Sequence, residues 1–253
     1  MQGKEKENKM KKMTMIIGVV ALAAFSAQAE LIDFESPTYS VGALNGQDGW
    51  AHSTGSANVV ADSTVVGPTA SSVINYGWAA SAWLQRDLDV TPAAAMTVEF
   101  DVSQWSGTAV HKFYLRDQAN RSYAGVYLHA TAGVWGYQSG GGLTGNVYSG
   151  ALGIGATASH VKMDLDFSTS TYDLYIYDNG GALRGSLADI SFVGADTTLA
   201  NMEASGGARL SINNTYASTL LGYDNIEVVP EPATLGLLGL SGAGLLFLRR
   251  KLS

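Results

Sequence analysis

The sequence predicts an all-β protein built as an antiparallel β-sandwich, on three observations. Residues 96–103 alternate apolar and polar side chains, which is typical of a strand with one buried face. Two strand-like runs, 161–167 and 172–177, flank a polar turn and predict an antiparallel hairpin. No amphipathic helix pattern is sustained between the two ends of the sequence. Short strands with one apolar face and glycine-rich turns favour antiparallel sheets packed as a sandwich.

The remaining strands are short, and turns rich in Gly, Ser, Asn and Asp separate them. They are predicted at residues 31–35, 58–62, 72–76, 82–90, 112–116, 124–129, 190–193, 209–213 and 222–228. Residues 41–50 are predicted to form a loop, and 139–155 a loop or an irregular hairpin. No repeat of fixed period is present, which disfavours propellers and β-helices.

The N-terminal residues 1–29 predict a secretory signal peptide. Five lysines precede an apolar stretch at 13–25, and Ala27 and Ala29 supply the small residues of an A-x-A cleavage pattern before Glu30. Signal peptidase is therefore an expected partner. The alternative, an uncleaved membrane anchor, is disfavoured because the apolar stretch is short.

The C-terminal residues 229–253 predict a second targeting segment. The motif Pro230, Glu231 and Pro232 precedes residues 233–248, none of which is charged. As a helix, this run would be about 24 Å long, slightly short of a hydrocarbon core of roughly 30 Å. A basic tail follows at once and is predicted to act as a stop-transfer signal with the C-terminus in the cytoplasm, at Arg249, Arg250 and Lys251.

The order of short motif, apolar segment and basic end resembles the PEP-CTERM sorting signal of Gram-negative bacteria. The resemblance implies recognition by a membrane transpeptidase of the exosortase type. It also implies transient anchoring in the inner membrane, followed by delivery to the cell surface or the extracellular matrix. The prolines are expected to keep the motif extended and accessible to the processing enzyme. The exported domain between the two targeting segments is then residues 30–228.

The exported domain also resembles concanavalin A-like jelly rolls. The resemblance lies in an opening Ile-Asp-Phe-Glu strand at 32–35, the central hairpin at 161–177 and a closing Asp-Asn-Ile-Glu-Val strand at 224–228. It implies a jelly-roll sandwich. A smaller sandwich of immunoglobulin type is the alternative.

Composition restricts the function of this domain. Between Glu30 and Pro232, seven lysines and arginines stand against 20 carboxylates, a net charge of −13. Such an acidic domain is a poor partner for nucleic acid, whose binding depends on neutralising phosphates. The chain has no cysteine, which excludes disulfides, a thiol nucleophile and cysteine-bound metals.

Two carboxylates are the candidates for hydrolytic or lyase chemistry. Glu99 and Asp101 share one face of their predicted strand, as the acid and nucleophile of a jelly-roll glycosidase would. The motif of that family continues to a second glutamate, and Ser103 occupies the corresponding position here. A solvated strand face is therefore the favoured interpretation of these residues.

Metal binding is predicted only for Ca²⁺, and the default expectation is that no cofactor is bound. Asp164 and Asp166 share one face of the hairpin, and Asp173 lies across its turn, so oxygen ligands are available. No Ca²⁺-loop motif supports this site. The four histidines are scattered and match no metal-binding motif, at positions 52, 111, 129 and 160.

Aromatic residues beside glycine-rich stretches are the candidates for glycan contacts. Trp50 lies next to one such stretch, and Trp135 and Tyr137 next to another, where they are expected to form a platform against sugar rings. The sequence thus predicts a non-enzymatic exported surface or matrix protein, with extracellular polysaccharide as the candidate ligand. A jelly-roll hydrolase or lyase using Glu99 and Asp101 is the alternative.

Overall fold

A computed structural model describes residues 28–35, 37–52, 56–60, 72–76, 82–106, 110–129, 134–140, 142–149, 159–178, 180–214 and 220–231. The predicted transmembrane helix 233–248, the basic tail 249–251, Pro232 and residues 1–27 of the signal peptide lie outside these ranges. The strands are β1 (Glu30–Ile32), β2 (Gly42–Ala43), β3 (Ala51–His52), β4 (Ser56–Val60), β5 (Ser72–Tyr76), β6 (Ala82–Asp87), β7 (Ala95–Ser106), β8 (Val110–Asp117), β9 (Ser122–His129), β10 (Val134–Ser139), β11 (Gly142–Ser149), β12 (Ser159–Asp166), β13 (Thr171–Asp178), β14 (Leu183–Ser191), β15 (Ala208–Asn214) and β16 (Leu220–Pro230). One short helix, α1 (Leu199–Ala204), precedes β15.

These strands form two antiparallel sheets. The nine-stranded sheet has the order β14-β13-β12-β7-β16-β5-β4-β2, and β1 pairs with β16 beside this path. The seven-stranded sheet has the order β11-β10-β9-β8-β15-β6-β3. The last strand, β16, lies inside the first sheet, with β7 on one side and β1 and β5 on the other. The predicted antiparallel sandwich is confirmed.

The predicted hairpin is the most regular part of the nine-stranded sheet. Strands β12 and β13 pair in continuous register from Ser159 opposite Asp178 to Asp166 opposite Thr171. Along both strands, every second side chain is buried. The alternation of the sequence therefore produces one face against the core and one polar outer face.

The core lies between the two sheets and is centred on aromatic rings. Phe100 of β7 stacks on Phe113 of β8, with ring centroids 4.0 Å apart, and Tyr223 of β16 packs against both. Tyr172 of β13 crosses the core, and its hydroxyl lies 2.7 Å from the carbonyl oxygens of Gly125 and Gln138 on the opposite sheet. A buried tyrosine hydroxyl needs such partners, so this contact stabilises the pairing of the sheets.

A buried arginine ties the start of the domain to the seven-stranded sheet. Arg86 of β6 forms ion pairs with Glu30 and with Asp48, the latter at 2.6 Å. Asp48 also accepts a hydrogen bond from the Tyr39 hydroxyl, which in turn accepts one from the Trp50 indole at 3.2 Å. The segment predicted as a loop is therefore held by side chains rather than by long strands.

In the described part of 139–155, β11 forms with β10 a hairpin that has two register shifts, which is one of the two forms predicted for this stretch. Two other elements differ from the sequence predictions. The strand predicted at 190–193 begins earlier, at Leu183. Helix α1 was not predicted, because six residues with one buried side chain, Met202, are too few to show a helical period.

The histidine at position 111 generates a prediction about stability in acid. His111 is 1% exposed, neither ring nitrogen has a hydrogen-bond partner among the residues that the structure describes, and burial lowers its pKa to about 4. Since the unfolded chain binds this proton at a higher pH than the folded domain, His111 should reduce stability as pH falls from about 6.5 to about 4. The variant His111→Leu should lose less stability than the parent in this window, by up to about 3 kcal/mol. Urea unfolding at several pH values measures this, and an unchanged pH profile would contradict the prediction.

Candidate functional site

The outer face of the nine-stranded sheet carries a cluster of ionisable side chains that contact one another. Glu99 and Asp101 of β7 both point to this face, as predicted, and His160 of β12 lies between them. Its Nε2 is 3.3 Å from Glu99 Oε2, and its Nδ1 is 3.0 Å from Asp101 Oδ1. The side-chain amide of Asn225 on β16 donates a hydrogen bond to the second oxygen of Asp101, at 2.9 Å.

This geometry shifts the pKa of His160. The hydrogen bond that His160 donates to Asp101 and the charges of both carboxylates raise the His160 pKa, against the opposing effect of burial. When protonated, the imidazole offsets part of the negative charge of the two carboxylates, and in either state it occupies the space between them. A catalytic acid and nucleophile would need the space between them for the scissile bond of the substrate. Because the His160 ring fills the space between Glu99 and Asp101, the arrangement is better suited to charge compensation than to catalysis.

Another carboxylate of this sheet, that of Asp224, was not singled out by the sequence analysis. Asp224 is fully buried opposite Asp101, and burial, with smaller effects from the charges of Asp101, Glu35 and Asp33, raises its pKa to about 8. A register shift follows it, and Asn225 has a positive φ of 48°. This bulge places an aspartate in a buried position, which strand alternation alone does not indicate.

The three aspartates proposed as Ca²⁺ ligands do not form a metal site. Asp164 and Asp173 are paired across the hairpin, but Asp164 contacts Thr97 and Lys162, whereas Asp173 accepts from the backbone N–H of Asp189. Asp166 accepts hydrogen bonds from the backbone N–H and the hydroxyl of Ser168 in the following turn. Within the described ranges, no group of three or more His, Asp or Glu side chains could hold a metal ion.

The predicted aromatic platform is wrong. Trp50 and Trp135 are 1% and 2% exposed, and both belong to the hydrophobic core. Tyr137 is only partly buried but packs against the same core. Trp135 is paired with the core residue Leu128, so its indole faces the interior of the sandwich rather than solvent. The adjacent glycines in the sequence do not reveal which face of the strand is buried.

The outer face of the seven-stranded sheet brings together residues that the sequence did not single out. One row crosses four strands, because each residue is the register partner of the next. The row consists of Trp83 on β6, Asn213 on β15, Lys112 on β8 and Tyr127 on β9. The next residue of the row is Gly136 on β10, and the Tyr127 ring lies where a Cβ of this residue would be. A glycine is required there, and it allows the tyrosine ring to lie flat on the sheet.

On the same face, a second tyrosine ring also covers a glycine of the neighbouring strand. Tyr114 of β8 covers Gly125 of β9, and a Cβ added to Gly125 would lie 2.9 Å from the tyrosine ring. The Tyr114 hydroxyl donates to the side-chain oxygen of Gln138, at 2.7 Å. The guanidinium of Arg116 lies over the Tyr114 ring, 4.5 Å from its centre. This face therefore carries amide and cationic groups beside two tyrosine rings, Tyr114 and Tyr127, that are each only 7% exposed.

The sorting motif begins inside the nine-stranded sheet. Strand β16 runs two residues past the predicted domain boundary, and the buried Pro230 pairs with Met96 of β7. The backbone N–H of Glu231 donates to the carbonyl oxygen of Ala95 at 2.9 Å, while the residue itself is exposed. The expected extended conformation is found, but the expectation of a fully accessible motif is wrong for Pro230. None of the helices in the described ranges has the length and apolar character needed to cross a membrane.

The fold defines the class as a concanavalin A-like, lectin-type jelly roll. The chain is similar to peanut lectin, with 8% identity over 80% of this chain and 97% of the lectin and a TM-score of 0.51. It is equally similar in fold to a carbohydrate esterase of the Shiga toxin-encoding bacteriophage phi24B, with 13% identity over 80% of this chain and all of that chain, and a TM-score of 0.51. A sialidase is matched over 80% of this chain at 13% identity and a TM-score of 0.46, but this chain covers only 18% of the sialidase.

A family model matches the C-terminal part of the sequence. Residues 228–251 match the family model of the PEP-CTERM protein-sorting motif. The chain therefore carries a PEP-CTERM sorting motif, which implies export and processing by an exosortase. Comparison with curated proteins gives no match.

The His160 cluster leads to a second pH prediction, opposite in sign to that for His111. Because its folded-state pKa is raised, His160 contributes stability below about pH 6.5, and this contribution is lost as pH rises through the folded-state pKa. Replacing His160 by Gln should reduce stability at about pH 5.5 by about 1 kcal/mol, since the group is partly exposed, and by less at about pH 9. Urea unfolding at both pH values measures the difference. A larger loss at the higher pH would contradict the ion-pair assignment.

Proposed function

We propose that this protein is a non-enzymatic exported protein of the cell surface or extracellular matrix that binds polysaccharide. The PEP-CTERM motif supports export, and the lectin-type fold supports carbohydrate as the ligand class. The observation that carries the proposal is the row of Trp83, Asn213, Lys112 and Tyr127 on the seven-stranded sheet. The partly exposed Trp83 can stack on a sugar ring, and the Asn213 amide and the Lys112 ammonium can bind its hydroxyl groups. The buried Tyr127 supports this face.

The targeting route has two steps. Signal peptidase removes residues 1–29, and residues 229–253 then hold the domain in the inner membrane, with the C-terminus in the cytoplasm. The exposed Ala29 and the start of β1 at Glu30 support cleavage between these residues, because the Glu30 carboxylate stays bound to Arg86. An exosortase-type enzyme next acts on the motif, and the exposed Glu231 supports its role as the recognised side chain.

Hydrolysis by Glu99 and Asp101 is the alternative function. Their common outer face is compatible with it. The bridging His160 and the hydrogen bond from Asn225 favour the non-enzymatic proposal, since both carboxylates already have partners in the folded domain.

Glycan binding can be tested on Trp83, the partly exposed aromatic residue of the row. The variant Trp83→Ala should weaken binding to the extracellular polysaccharide of the producing organism at least about tenfold, since a tryptophan anchor typically contributes about 2 kcal/mol or more. Retention on the immobilised polysaccharide measures this. Tyr177→Ala is the matched control, because Tyr177 is a partly exposed aromatic residue on the opposite sheet, beside His160. Equal retention of Trp83→Ala and the parent would contradict the proposed binding face.

Sorting can be tested on Glu231. The variant Glu231→Ala should accumulate in the membrane fraction, because the enzyme would lose the charged side chain that it recognises. Fractionation and immunoblotting measure the membrane-bound share. Glu227→Ala is the control, since this carboxylate lies on the same strand upstream of the motif. Normal release of Glu231→Ala would contradict the assigned role.

A further inference from the structure

The cations of the exported domain divide into two groups. Seven lysines and arginines lie between Glu30 and Glu231, and the structure describes all of them. Five form an ion pair with a carboxylate, as is expected in a domain of strongly negative charge, and these are Arg86, Arg121, Lys162, Arg184 and Arg209. The two exceptions are Lys112 and Arg116, and within the described part of the chain neither has a carboxylate within 4.0 Å. Both lie on β8, on the outer face of the seven-stranded sheet.

The two unpaired cations are held at a defined spacing. Lys112 and Arg116 are four residues apart on one strand face, so their Cα atoms are separated by about 13 Å, with Tyr114 between them. Arg116 is fixed by a hydrogen bond from its Nε to the Ser122 hydroxyl at 3.0 Å and by its position over the Tyr114 ring. Tyr114 is itself held by Gln138. The guanidinium is therefore pre-organised, which lowers the entropy cost of binding a ligand.

The surroundings of these cations favour an anion. Burial, followed by the charge of Arg116, lowers the pKa of Lys112, and burial lowers the pKa of Arg116. Both groups are thus partly removed from water without a compensating negative charge. A carboxylate would provide this charge, and its two oxygens match the planar guanidinium.

We propose that this face binds an acidic polysaccharide, with the uronate carboxylates of the polymer on Lys112 and Arg116. This inference rests on the proposed function and specifies its ligand class. A glycan is favoured over an acidic protein because Asn213 and the partly exposed Trp83 continue the row from Lys112 across the sheet. Trp83 supplies a stacking surface and Asn213 an amide contact of the kind that a sugar polymer uses.

The test compares two polymers with the same backbone, polygalacturonate and its methyl ester. The parent should bind polygalacturonate at least about tenfold more tightly than the ester, and this preference should shrink as salt screens the charges. The double variant Lys112→Gln with Arg116→Gln should lose at least about tenfold in affinity for polygalacturonate and a clearly smaller factor for the ester, so that the preference between the two polymers disappears. Lys112→Gln alone removes a side chain that has no ion pair with the described residues, so it tests the proposal if the double variant does not fold. Isothermal titration calorimetry measures each affinity.

The control is Arg184→Gln, which changes the net charge as the single variant does but lies on β14, at the edge of the other sheet. Its affinity should stay within about twofold of the parent. Equal binding of both polymers by the parent and the double variant would overturn the acidic-ligand inference while leaving glycan binding intact. Binding of neither polymer by a folded parent would overturn both proposals. Tighter binding of poly-glutamate than of polygalacturonate would overturn the choice of a glycan in favour of an acidic protein.

Discussion

The pairing of the last strand inside the nine-stranded sheet is the constraint on which the rest of this structure depends. Strand β16 joins β7 to the strands from the start of the domain, and its Tyr223 packs with Phe100 and Phe113 at the centre of the core. The sheet is therefore incomplete until the final residues of the domain are in place. Since the sorting motif begins at Pro230 within the same strand, the core and the targeting signal are physically continuous. Removal of residues beyond Glu231 leaves all of these contacts intact.

The two outer faces of the sandwich differ in how their charges are compensated. On the nine-stranded sheet, His160 bridges Glu99 and Asp101, and Lys162 pairs with Asp164, so these charged groups have partners within the fold. On the seven-stranded sheet, Lys112 and Arg116 have no carboxylate partner among the described residues, although the domain as a whole is acidic. A charge that a protein holds without compensation is more informative about ligands than one that it neutralises itself. This contrast is why the proposed binding surface lies on the smaller sheet.

The sequence predicted strands and buried faces correctly where apolar residues recur at every second position, the period of a strand. The alternation from Met96 and the central hairpin predicted strands and buried faces that the structure confirms. The prediction failed for Trp135, because two register shifts in its hairpin and a short, glycine-rich context obscure which side faces the core. It also missed Asp224, which a bulge buries, and the row that includes Lys112, whose members come from four strands spread over about half of the chain.

The sequence by itself determined the class of fold, the acidic and cysteine-free character of the domain and the sorting motif, because each depends on local pattern or composition. Only the tertiary structure decided which aromatic residues are buried, that His160 bridges Glu99 and Asp101, and that Lys112 and Arg116 have no carboxylate partner in the described part of the chain. The physical reason is that these properties depend on strand register and sheet order, which join residues far apart in the chain. No short stretch of sequence contains that information.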